Sequence, residues 1–164
     1  MKWMLALLLG TTACASKNGV PPVEETASGR SGESAITLER TSCFGHCPVY
    51  RLAVSADGKV SYEGTANVKR LGAASGEVPA NRVNALLDEL DKAGYFSFAD
   101  RYTPAEPTCG RYATDLPSTI TSASLNGRSK RIVYDHGCGA APGALTVLEQ
   151  RIDEVLGSSR WTGR

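Results

Sequence analysis

The chain has 164 residues, room for one domain. Its 18 Lys and Arg nearly balance 17 Asp and Glu, and no basic stripe with interleaved aromatics is present. That charge pattern lacks the footprint of a protein that grips nucleic acid. Five cysteines in so short a chain make sulfur chemistry and redox compartment the next questions.

Lys2 opens a short basic segment, Trp3–Leu9 form a compact apolar run, and the small residues Gly10, Thr11, Thr12 and Ala13 lead to Cys14. This is the layout of an export signal, with a run too short to span a bilayer. Small residues ending in a cysteine resemble the lipobox of bacterial lipoproteins, although Thr11 stands where leucine is usual. The resemblance implies removal of residues 1–13, acylation of Cys14 (as by palmitate) and a membrane anchor made of lipid. Ala15 rather than aspartate after the cysteine implies, by analogy with enterobacterial sorting, the outer membrane facing the periplasm. Removal of residues 1–13 takes away Lys2 and no acid, leaving 17 basic residues against 17 acidic.

Residues 14–34 read as the lipidated end and a tether, rich in Gly, Ser, Pro and Glu and too poor in bulky apolar residues to build a core. A tether of this length has an r.m.s. span of about 25 Å. Residues 35–157 carry the pattern of a single folded domain. Ile36 and Leu38 alternate with polar neighbours, and Tyr50, Leu52 and Val54 do the same after Pro48, the two-residue period of strands. Asp57-Gly58 reads as a two-residue hairpin turn, with Val60 and Tyr62 on the return strand. A further strand is expected around Asn67–Leu71, and a weaker one near Ser75–Val78.

The period then changes. Pro79 opens a helix whose stripe is Val83, Leu86, Leu87 and Leu90, and Gly94 ends it. Tyr95, Phe96 and Phe98 are expected to plug that helix against the sheet. Tyr102–Asp115 reads as a loop. Pro117–Leu125 and Arg128–Asp135 flank Asn126-Gly127, the strongest hairpin signal in the chain. A last helix over Gly143–Leu156 presents Leu145, Leu148, Ile152 and Val155. The tail, residues 158–164, is expected to fray, with Trp161 patching the core or touching lipid headgroups. The fold class is α+β: an antiparallel sheet built from hairpins, with two helices packed on one face.

With Cys14 assigned to the anchor, Cys43, Cys47, Cys109 and Cys138 remain, and four cysteines in an exported chain point to disulfides. Three pairings are open. In an extended strand, residues four apart lie about 13 Å from one another, so a Cys43–Cys47 bond needs Phe44-Gly45-His46 to turn, which Gly45 makes feasible. That pairing leaves Cys109–Cys138, whose closure of about thirty residues contributes about 3.6 kcal/mol, against about 2 kcal/mol for the local loop.

Other chemistries compete for these residues. Cys43, Cys47, His46 and His136 are a candidate ligand set for copper or zinc. The Cys-x3-Cys-Pro string resembles the motif of the Sco copper chaperones, whose thioredoxin fold sets it between a strand and a helix; here Pro48 leads into a strand. Thiol redox catalysis prefers Cys-x-x-Cys at a helix N-terminus, and neither condition is met. Hydrolysis would draw on His136 with Asp135 or Asp115, without a nucleophile elbow to support it. Thr114 and Asp115 offer a polar binding site, or a side-chain turn leading into the next strand.

One resemblance runs through the body of the chain. CFGHCPVYRLAVSADGKVSYEG, AGYFSFADRY, TDLPSTITSASLNGRSKRIVYDHG and APGALTVLEQRIDEVL together resemble the bacterial family called domain of unknown function 6438, over roughly Ile36–Leu156. Cys43 and Cys47 match its shared cysteines, which favours their bonding to each other, whereas Cys109 and Cys138 occur in some members. The family is typical of exported proteins and lipoproteins and has no established activity to carry over. The reading is a lipid-anchored, non-catalytic binding or structural module of the cell envelope, acting on a protein partner there.

Overall fold

A computed structural model describes residues 34–164. The expected signal, Cys14 and the tether up to residue 33 lie outside the described residues. Seven strands form one sheet: β1 (Ser34–Arg40), β2 (Val49–Ser55), β3 (Lys59–Ala66), β4 (Gly72–Glu77), β5 (Arg101–Tyr102), β6 (Ser118–Leu125) and β7 (Arg128–Asp135). Their order is β4-β3-β2-β1-β6-β7-β5. All neighbours are antiparallel except β5 and β7, which run parallel. Helices α1 (Ala80–Lys92) and α2 (Gly143–Leu156) cover one face, and a short α3 (Ser159–Thr162) follows. The α+β expectation therefore holds, with one parallel pair added at the sheet's edge. Among the described residues no helix is long and apolar enough to cross a membrane.

Alternation builds the core. Ile36 and Leu38 from β1, Leu52 and Val54 from β2, and Val60 and Tyr62 from β3 point to the helix side. They meet Val83, Leu86, Leu87 and Leu90 of α1 and Leu145, Leu148 and Ile152 of α2. Arg151 of α2 donates from Nε and Nη2 to both carboxylate oxygens of Glu89, clamping the helices together at 2.8 and 3.2 Å. Tyr95 is fully buried under them and donates to Thr121 at 2.8 Å, fulfilling the expected plug. On β6 the buried positions are Thr119, Thr121 and Ala123, so its helix-facing side is unusually polar.

Several expectations need correction. Asn67–Leu71 is a bend, not a strand: Asn67 has φ 53°, and the Lys69 and Arg70 amides donate to the Thr162 and Trp161 carbonyls. The weaker strand expected near Ser75–Val78 is present but begins earlier, over Gly72–Glu77, paired along β3 from Gly64↔Gly72 to Lys59↔Glu77. The β2–β3 turn holds three residues, Ala56–Gly58, rather than two. Gly58 has φ 91°, and a Cβ there would lie 2.0 Å from the Val78 carbonyl oxygen, so only glycine fits. The Asn126-Gly127 turn is the expected two-residue link, joining Leu125 to Arg128. The Tyr102–Asp115 stretch begins in β5 and includes a single 3₁₀ turn at Pro107–Cys109. The tail does not fray. Trp161 is buried, with its ring 4.9 Å from Tyr62 at 21°, which makes it a core patch.

Candidate functional site

Antiparallel pairing sets three loops at one end of the sheet: Thr41–Pro48 after β1, the stretch leading to Pro117 before β6, and His136–Pro142 after β7. Both disulfides are there. Cys43–Cys47 closes the first loop, and Cys109–Cys138 joins the second to the third. The backbone stitches the same loops: Thr41 donates to Ser118, Phe44 to Asp115, His136 to Pro117, and Gly139 to Arg111. Within the first loop Gly45 adopts φ 134°, the conformation that lets five residues turn tightly enough for the sulfurs to meet. The turn leaves Phe44 88% exposed at its tip, with Leu116 and Tyr112 also exposed on the neighbouring loop.

Beside the disulfide loop lies a cleft of about 420 Å³. Cys47, Pro48 and Pro117 give it an apolar wall, Ser158, Thr162 and Arg164 the opposite rim, and Arg40, Tyr50 and Asp153 its charged floor. Arg40 is the inward residue after Ile36 and Leu38 on β1, so the buried face of the strand ends in a guanidinium. Its Nε and Nη2 donate to Asp153 Oδ2 at 2.9 and 2.7 Å, and Nη1 donates to Thr119 at 3.1 Å. Tyr50 donates to Asp153 Oδ1 at 2.6 Å. Asp153 is thus held on both oxygens by residues of β1 and β2. Burial works against the charge on Arg40, but Asp153, with Tyr50 and Glu149, holds its pKa above the ordinary arginine value. Burial, then the charge and hydrogen bond of Asp153, push the Tyr50 phenol far above the usual tyrosine range.

One turn earlier on α2, Glu149 enters the same layer from behind the cleft and is 1% exposed. Its Oε2 lies 3.1 Å from His136 Nε2 and 3.9 Å from Arg40 Nη1. Neither of its oxygens has a donor aligned on it. His136 Nε2 also lies 2.7 Å from the Thr119 hydroxyl, and the ring stacks on Tyr134 at 4.3 Å. A hydrolytic relay needs the acid on one imidazole nitrogen and the nucleophile on the other. Here both sit on Nε2, so the trio is a packed polar layer rather than a relay.

The residues singled out from sequence are distributed as follows. Asp135 Oδ1 accepts from the Gly137 amide at 2.8 Å and Oδ2 from Tyr112 at 3.3 Å, a turn-forming role away from His136 Nε2. Asp115 is exposed with φ 71°, accepts from the Thr114 hydroxyl, and offers its carbonyl to Phe44. Thr114 and Asp115 therefore brace the disulfide loop and do not line the cleft. Cys43 and Cys47 share a bond, so neither offers a thiolate to copper or zinc. His46 is exposed, and its carbonyl receives Arg164, while His136 is engaged with Thr119 and Glu149. Among the described residues no three His, Cys, Asp or Glu side chains are grouped to hold a metal.

Sequence reasoning missed Arg40, Tyr50, Thr119, Glu149 and Asp153 as a unit. A signal existed at two of them. Arg40 continues the buried parity of Ile36 and Leu38, and Glu149 falls inside the apolar stripe of Leu145, Leu148 and Ile152.

A family model described as a domain of unknown function, DUF6438, matches residues 34–156. The match takes in the disulfide loop, the Arg40–Tyr50–Asp153 floor and both helices, and stops before the rim formed by Ser158, Thr162 and Arg164. No curated protein matches the chain.

Proposed function

The chain belongs to the DUF6438 family, and on that premise we propose that it is a lipid-anchored protein of the bacterial cell envelope that works by binding. Its ligand or protein partner seats in the cleft beside the Cys43–Cys47 loop. The cleft itself carries this reading: a concavity of about 420 Å³ with an apolar wall, a charged floor and a polar rim. Binding rather than catalysis fits the state of the floor. Arg40, Tyr50 and Asp153 satisfy one another, and the Thr41 hydroxyl accepts the Ser118 amide at 2.8 Å. Groups so engaged are suited to recognising a shape and less suited to exchanging protons with a substrate.

The envelope location rests on Lys2, the Trp3–Leu9 run and the small residues before Cys14. Two disulfides in the described residues are consistent with an oxidising compartment. Lipid on Cys14 would make the domain a tethered module, held to the membrane by acyl chains at roughly 0.8 kcal/mol per buried CH₂.

The test uses the full chain in intact cells. A photo-crosslinking residue at Gln150, on the cleft's border, is expected to trap a discrete adduct, while the same residue at Ser129, at the opposite end of the sheet, does not. Equal or absent trapping at the two positions rejects the cleft as the binding surface. Cys14→Ser is expected to move the protein from the membrane fraction to the soluble one, and an unchanged distribution rejects the anchor.

A further inference from the structure

Strand β4 is the open edge of the sheet, and we infer that it pairs with β4 of a second copy of this chain. The backbone direction follows from alternation. Val78 donates to the Gly58 carbonyl at 2.9 Å, so Val78 and the residues of its parity, Gly76, Ala74 and Gly72, turn their peptide groups toward β3. The peptide groups of Ala73, Ser75 and Glu77 then face outward. Among the described residues the outward row meets only the Arg70 guanidinium, which reaches the Ala73 carbonyl at 3.4 Å. Such a row is a template for another strand, and proteins that avoid pairing blunt it with lysine, proline or a bulge. β4, Gly-Ala-Ala-Ser-Gly-Glu, contains neither residue, and its register with β3 runs unbroken.

The edge is also complementary to itself. An antiparallel pair centred on Ser75 sets Ser75 opposite Ser75 and Ala73 opposite Glu77 of the second copy. Every outward residue then lies in a pair that exchanges both its hydrogen bonds once the Arg70 guanidinium turns from the Ala73 carbonyl to the incoming Glu77 carboxylate. The register brings each Glu77 to the Ala73 of the other copy, where Arg70 already sits, so two opposite-charge contacts form by symmetry. The small side chains of Ala73 and Ser75 leave the approach clear on the open face. A two-fold pairing of this kind is an isologous interface, with the same surface used by both copies.

The register makes the inference testable with the full chain, in a Cys14→Ser background where the remaining native cysteines are in disulfides. Ser75→Cys is expected to give a covalent dimer under mild oxidation. Ala73→Cys is expected to stay at least tenfold less dimerised, because its counterpart lies about 13 Å away along the pair. Ser75→Pro removes an outward N–H and no bond to β3, so it is expected to keep native circular dichroism and lose the dimer in sedimentation. A monomeric Ser75→Cys protein, or equal dimerisation of the two cysteine variants, overturns the inference. So does a Ser75→Cys adduct to a different protein, or protection of the outward Ala73, Ser75 and Glu77 amides from exchange in a protein that sediments as a monomer.

Discussion

Arg40 on β1 and Asp153 on α2 lie 113 residues apart in the chain and meet at 2.7 Å between Nη2 and Oδ2. The pair ties the end of a central strand to the helix that roofs it, and its side chains are 20% and 17% exposed. Removing one partner leaves a largely desolvated charge. Asp153→Ala is therefore expected to lose about 3 kcal/mol of stability in urea unfolding. The double variant Arg40→Met, Asp153→Leu leaves no orphan charge and is expected to lose less than Asp153→Ala alone. A double variant whose loss equals the sum of the two single losses would show that the pair is not coupled.

Tyr50 adds a pH dependence to the same floor. Unfolded tyrosine gives up its proton near pH 10, whereas the folded Tyr50 pKa is raised by burial and Asp153. Above pH 10 the unfolded chain binds fewer protons than the folded one, so stability falls as pH rises. Below pH 10 the full contribution is present. Tyr50→Phe is expected to cost about 2 kcal/mol at pH 7, since Asp153 Oδ1 loses its donor. It is also expected to flatten the decline in melting temperature between pH 9.5 and 11. Tyr95, raised chiefly by burial against the Thr121 hydrogen bond, keeps part of that decline in the variant. Parallel pH profiles for the two proteins would reject the assignment to Tyr50.

The two disulfides divide their effects. Cys109–Cys138 closes a loop with a sequence separation of 29, and Cys43–Cys47 one of 4. Replacing the first pair by serine is expected to cost about 3.6 kcal/mol, and the second about 2 kcal/mol. Adduct formation at Gln150 is expected to respond in the reverse order. Cys47 lines the cleft and its loop presents Phe44, whereas Cys109 and Cys138 are buried away from it. Calorimetry and crosslinking on the same two variants measure both orders, and a common order in the two assays would contradict the division.

What could be read from the sequence follows from how far each signal reaches. β1, β2, β3 and both long helices show in it because their periods are local and their buried residues large. β4 shows only in part, as the weaker strand expected near Ser75–Val78, since Gly-Ala-Ala-Ser-Gly-Glu has little intrinsic strand preference and its start at Gly72 is set by its register with β3. Asn67–Leu71 is expected as a strand, but its Lys69 and Arg70 amides are taken up by a C-terminal turn nearly a hundred residues away. The same reach separates the legible from the hidden in the site. Cys43 and Cys47 announce themselves by spacing. Arg40, Tyr50, Thr119, His136 and Asp153 come from different strands, a loop and α2, and only the β2-β1-β6-β7 order collects them.

The C-terminal turn offers the sharpest contrast between a tail and a structural part. Trp161 stacks on Tyr62, Arg160 lies over the indole at 4.4 Å, and the carbonyls of Trp161 and Thr162 hold the Asn67–Leu71 bend. Gly76 on β4 faces this ring, and a Cβ there would come within 3.2 Å of Trp161 Cζ2 and 2.9 Å of Arg160 Nη1. Arginine can swing aside, but the indole is pinned between Tyr62 and the strand. Trp161→Ala is therefore expected to cost about 3 kcal/mol, and Gly76→Val about 1–3 kcal/mol through overpacking. Combining them relieves the clash, because the valine side chain enters the space the indole left. The double variant is expected to be more stable than the sum of the single losses allows, by an interaction of at least about 1 kcal/mol. Simple additivity in chemical denaturation would mean that the ring and the strand do not meet, and the tail would then be the frayed end that its composition suggests.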